Sequence, residues 1–206
     1  MISDKFMVNS DAGRMAAARY ATENFAWQAK LDKREMLRLE LLVEETLGMA
    51  KVMLEDFYGQ LWFVNEGKRL EIHFEATANM NKNKKYELLS VSSTGTNAAA
   101  KGFMGKIGEL ISGALYGVGQ TMDAYGRETM EYGILHTPGT LAPNVDMVPI
   151  WTLQNYKTNL DNASKEDKMA EAAIEDLEKS IVARLADDIV VGVKGDRVDM
   201  IITRNI

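Results

Sequence analysis

The chain has 206 residues, 46% of them hydrophobic and 26% charged, the balance of one globular domain large enough to bury its own core. It contains no cysteine, which excludes disulfides and thiolate metal sites, and its formal charge of −6 argues against a nucleic-acid-binding surface. No apolar run is long enough to span a bilayer, and the opening MISDKFMVNSDAG has no signal-peptide core, so a cytoplasmic protein is expected.

In chain order, Lys5 to Val8 reads as a short first strand, with Ser10 or Asp11 as the N-cap of a helix over Arg14 to Lys30. Ala17, Tyr20, Ala21, Asn24, Phe25 and Gln28 recur there at helical spacing. Asp32 and Glu35 have capping-box spacing and open a second helix to about Leu54. Its expected core stripe is Leu39, Leu42, Val43, Thr46, Leu47, Ala50 and Met53, and Gly59 is expected to close the helical region. Three strands follow: Leu61 to Val64, Leu70 to Ala76 and Tyr86 to Ser93. In the second, Leu70, Ile72, Phe74 and Ala76 alternate with Glu71, His73 and Glu75, the pattern of an antiparallel sheet with one wet face. Lys82-Asn83-Lys84-Lys85 reads as a solvated hairpin turn.

Lys101 to Tyr116 and Gln120 to Tyr132 have helical character but many glycines, each costing about 1 kcal/mol against alanine inside a helix. Residues 137–149 hold all three prolines and read as a loop, with a strand expected within 150–158. Ser164 and Asp167 offer caps for a helix to Leu185 with Ile174, Leu177, Ile181 and Leu185 on one face. Ile189 to Val193 and Val198 to Thr203 then form a closing hairpin. His73 reads as solvated or paired across strands, and His136 has no evident partner. Gly102 to Ile111 is either a helix packed over a pocket or a membrane-surface or partner-binding helix.

Four stretches carry a family likeness. In LELLVEETLGMA, Glu45 is followed four residues later by Met49. Val91 to Asn97 reads VSSTGTN, with Ser93, Thr94 and Gly95 at its centre. Ile174 to Ser180 opens the last long helix, and Leu185-Ala186-Asp187-Asp188-Ile189 precedes the closing hairpin. The order and these stretches resemble the histidine-kinase-like ATPases (the Bergerat fold), and among them the bacterial anti-sigma-factor serine kinases. The likeness covers residues 5–97 and 165–206, with 98–164 as an enlarged ATP-lid insert in one domain of 1–206. It implies an α+β two-layer sandwich: a mostly antiparallel sheet covered on one face by helices, with a long helical insert at the lid.

The family's E-x-x-x-N box would place a base or orienting group at Glu45 and a Mg²⁺-binding Asn at position 49, where this chain has Met. Its adenine-binding Asp falls on Ser93, and its last turn glycine on Asn97. The phosphate-loop glycines fall on Ile174 to Ser180, which has none. A thioether is a poor ligand for Mg²⁺, and Ser93 lacks the charge that strengthens a hydrogen bond to adenine. The resemblance therefore implies a degenerate pocket: no confident catalytic residue, Glu45 as a vestigial candidate, Met49, Ser93, Thr94 and Gly95 as nucleotide-pocket equivalents, and no metal. No cofactor is expected, with ATP and Mg²⁺ retained only if the pocket works. The plainer readings are a solvated helix carboxylate for Glu45 and an ordinary strand-to-loop turn for Ser93 to Gly95.

The expected function is a non-catalytic regulatory or protein-binding module, with a sigma-factor-like or anti-anti-sigma-like partner by analogy and a homodimer left open. The alternatives are an ATP-binding serine kinase of the anti-sigma type and a small-molecule sensor that reuses the old pocket.

Overall fold

The computed structural model describes residues 1–54, 57–78, 107, 133, 150–194 and 196–206. Six strands and five helices are described in the order β1 (Phe6–Asn9), α1 (Ala12–Gln28), α2 (Lys33–Leu54), β2 (Phe57–Asn65), β3 (Arg69–Ala78), β4 (Ile150–Thr152), α3 (Leu153–Ala163), α4 (Lys168–Lys179), α5 (Ile181–Leu185), β5 (Asp188–Lys194) and β6 (Arg197–Asn205). The strands form one open antiparallel sheet in the order β1-β2-β3-β6-β5-β4. The fold is the expected α+β two-layer sandwich. The expected strand at Tyr86 to Ser93, the Lys82–Lys85 turn, the proline loop, His136, the Met53 side chain and most of the 98–164 insert lie outside the described residues.

The strand alternation predicted for β3 holds. Leu70, Ile72, Phe74 and Ala76 are buried, while Glu71, His73 and Glu75 face the other side. Register carries that alternation across the whole sheet. Phe6, Leu61, Phe74, Met200, Val191 and Trp151 stand side by side in one row that crosses all six strands. A second row runs Phe63, Ile72, Ile202, Ile189. Removing such side chains from water contributes about 1.5–3 kcal/mol each, and a one-residue slip would turn every one of them outward. Gly59 lies inside β2 rather than at a helix end. A Cβ there would come within 2.6 Å of the Glu75 carbonyl oxygen, so the close approach of β3 requires glycine. The β2–β3 hairpin turns on Gly67, whose φ of 86° is open to glycine at little cost.

Asp11 caps α1, accepting from the Gly13 and Arg14 amides at 2.8 and 3.3 Å. The helix buries a different stripe from the expected one: Ala18, Thr22, Phe25 and Ala26 face the sheet, and Tyr20 is exposed. Alanine populates both faces of α1, so its spacing does not distinguish them. Thr22 can be buried because its hydroxyl donates to the Ala18 carbonyl at 2.8 Å. Phe25 then stacks on Phe63 with ring centroids 4.8 Å apart.

Asp32 accepts from the Arg34 and Glu35 amides at 2.8 Å each and opens α2. Glu35 does not complete the capping box. Its carboxylate instead pairs with Arg38 and, at 3.2 Å, with Arg204 of β6. Arg204 also donates to the Leu185 carbonyl at 2.8 Å, so one partly buried cluster ties α2, α5 and β6 together. Glu35→Ala leaves two partly buried guanidinium groups without their carboxylate. Chemical denaturation should show a loss of about 2–3 kcal/mol, and an unchanged midpoint would remove the cluster from any stabilising role.

The chain region 150–158 is strand only to Thr152, whose hydroxyl accepts from the Asn155 amide and starts α3. The helix expected to run to Leu185 begins, as predicted, after Asp167, but it breaks at Ser180. Ser180 adopts extended backbone and its hydroxyl caps α5, which shifts the phase of the second segment. Val182 and Ala183 are therefore buried where Ile181 was expected, and Ile181 is exposed.

Candidate functional site

The candidate residues Glu45 and Met49 both lie on α2, and the structure separates them. Glu45 is exposed, whereas Met49 is only 7% exposed and belongs to the hydrophobic core cluster with Leu47 and Ala50. The physical cause lies in helical phase. Leu42, Val43, Thr46, Leu47 and Ala50 are buried, and position 49 lies at the edge of that arc beside Leu42, while position 45 lies about 40° of helix rotation farther from it. Ser93, Thr94 and Gly95 lie outside the described residues.

Ile174 to Lys179 form the C-terminal half of α4, not a loop. Their amides are committed to helical hydrogen bonds, and Leu177 is buried. A phosphate cradle needs free amides that converge on one point, as at a helix start or nest. Asp187 and Asp188, in the stretch before the closing hairpin, serve the backbone. Asp187 accepts from the Asn205 amide at 2.6 Å and Asp188 from the Gln154 amide at 2.9 Å. Among the described residues, no three His, Asp or Glu side chains converge as metal ligands.

His73 is paired within its own strand, its Nε2 lying 2.7 Å from a Glu71 carboxylate oxygen. It also stacks on Trp62 at 4.9 Å between centroids, and Lys5 sits 3.9 Å above the Trp62 ring. Arg69 holds the other Glu71 oxygen at 2.7 Å. This ladder satisfies each of its charged members.

Two grooves among the described residues flank α2 instead. One, of about 570 Å³, lies between α1 and α2 and is lined by Met15, Leu37, Leu41, Glu40 and Glu44 among others. A second, of about 470 Å³, lies between α2 and α5 and is lined by Lys33, Arg34, Leu37, Leu41, Ile181 and Leu185 among others. Leu37 and Leu41 form the ridge between them, and Leu37 is 55% exposed. These leucines lie outside the predicted core stripe. The signal for them was present in the sequence as an i, i+4 apolar pair on the polar side of the helix. On α1, Tyr20 and Trp27 stand seven residues apart on one outer face, 67% and 73% exposed.

No protein-family model, no curated protein and no solved structure matches the chain.

Proposed function

We propose that this chain is a non-catalytic regulatory module that binds a protein partner, on a histidine-kinase-like ATPase scaffold that has lost its nucleotide chemistry. The observation that carries this reading is the burial of Met49. At the position where the family's metal-binding oxygen belongs, a thioether is packed into an apolar core, and no hard cation is held by such a group. Phosphoryl transfer depends on metal and phosphate positioning, and the helical amides of Ile174 to Lys179 supply no cradle. The partner is a sigma-factor-like or anti-anti-sigma-like protein by analogy, and a cytoplasmic setting belongs to the same reading. Tyr20 and Trp27 support a protein partner: both stand exposed on one face of α1, and aromatic anchors dominate interfaces.

Calorimetric titration with Mg-ATP is expected to give no binding heat. Micromolar binding would revive the kinase alternative and overturn the proposal. Tagged chain should capture a host protein, and the double change Tyr20→Ala with Trp27→Ala should reduce that capture about tenfold or more. Equal capture by the variant would place the partner surface elsewhere.

A further inference from the structure

The outer face of α2 carries a charge pattern that, when reversed, becomes its own complement. Lys33 and Arg34 stand at one end, Glu44 and Glu45 at the other, and Leu37 and Leu41 between them. Both the charged pairs and the leucine pair are centred on the level of Leu39, whose own side chain is buried on the opposite face. All four charged residues are exposed, and among the described residues none of them has an ion-pair partner. Arg38, Glu35 and Arg204, by contrast, are already engaged with one another. The four exposed groups are therefore sorted by sign with an apolar ridge between the two signs, Glu40 standing at the rim of that ridge and Lys51 about 9 Å farther along the helix beyond Glu45.

We propose that this face docks a second copy of the chain, with α2 packed antiparallel on α2 about a two-fold axis at the level of Leu39. Such an interface is self-complementary by symmetry. The axis brings Leu37 and Leu41 of both copies together at the centre. It sets the Lys33–Arg34 end of each helix against the Glu44–Glu45 end of the other, a seam of about 18 Å at 1.5 Å per residue. The apolar grooves on either side, one rimmed by Glu40 and Glu44 and the other by Lys33 and Arg34, receive the flanking side chains of the partner copy. A parallel arrangement would oppose like charges at both ends and is disfavoured. The proposal rests on the charge and exposure of α2 alone, independent of the partner-binding reading and of the surface formed by Tyr20 and Trp27.

Sedimentation equilibrium of the full chain at about 100 μM, a concentration suited to the micromolar affinity of a small interface, should give twice the chain mass. Two charge-swapped proteins test the geometry: Lys33→Glu with Arg34→Glu, and Glu44→Lys with Glu45→Lys. The first is acidic at both ends of the helix and the second is basic at both. Each alone should dimerise about tenfold more weakly or not at all, and an equimolar mixture should recover a heterodimer. Leu37→Glu, at an exposed position, should also yield a monomer with an unchanged circular-dichroism spectrum. A monomeric wild type, charge variants that dimerise like wild type, or a mixture that stays monomeric would each overturn the proposal.

Discussion

Trp151→Ala should be among the most damaging single changes in this chain, lowering stability by about 3–5 kcal/mol. Trp151 is one of the largest fully buried side chains, although β4 is only three residues long and sits at the sheet edge. Its indole closes the end of the six-strand row beside Val191 and packs on Tyr156 of α3 at 5.5 Å between centroids. Truncation removes the transfer energy of the ring and leaves a cavity that a short strand cannot fill. Gly133 makes the same point from the other side. Its carbonyl accepts from the Thr152 amide at 2.9 Å, and a Cβ on it would lie 1.9 Å from the Trp151 indole nitrogen. Gly133→Ala should therefore cost about 1–3 kcal/mol through overpacking. Combined with Trp151→Ala it should cost much less than the sum, because the clash disappears with the ring. Urea unfolding of the two single variants and the double variant measures this coupling. Strict additivity would show that the two residues do not meet.

Met49→Asn should be destabilising by about 2–4 kcal/mol and should create no nucleotide site. The change replaces a packed thioether by an amide with two donors and an acceptor, in a cluster whose neighbours on α2 are Leu47 and Ala50. Met49→Leu conserves shape and should stay within about 1.5 kcal/mol of wild type. The comparison separates loss of volume from burial of polarity. Thermal melts in the presence and absence of Mg-ATP give the second readout. An Asn variant that kept its stability and gained a melting shift with Mg-ATP would mean that position 49 faces a pocket, and the regulatory reading would fall with it.

Much of the architecture was legible because it is encoded over a few residues. The β3 alternation, the Asp11, Asp32 and Asp167 caps and the β5–β6 hairpin were all found close to where pattern placed them. Failures occurred where two local readings had similar weight. Alanine on both faces of α1 concealed the buried stripe, and Ser180 stood in an otherwise regular helical run until its cap interrupted it. The candidate site was less legible than the fold. Glu45 and Met49 are one helical turn apart in sequence, yet one meets water and the other meets the core.

By itself the sequence determined most of the described strands and helices, though not the helix Leu153–Ala163. It also determined where most of the helices start, and that β3 buries Leu70, Ile72, Phe74 and Ala76. Those outcomes follow from side-chain periodicity and from short hydrogen bonds between near neighbours. Only the tertiary structure decided that β3 lies beside β6, that Arg204 meets Glu35, and that Leu37 and Leu41 remain outside while Met49 goes in. These depend on which distant surfaces meet. That choice is set by the total apolar area removed from water against the entropy of closing long loops, a balance no short window of residues contains.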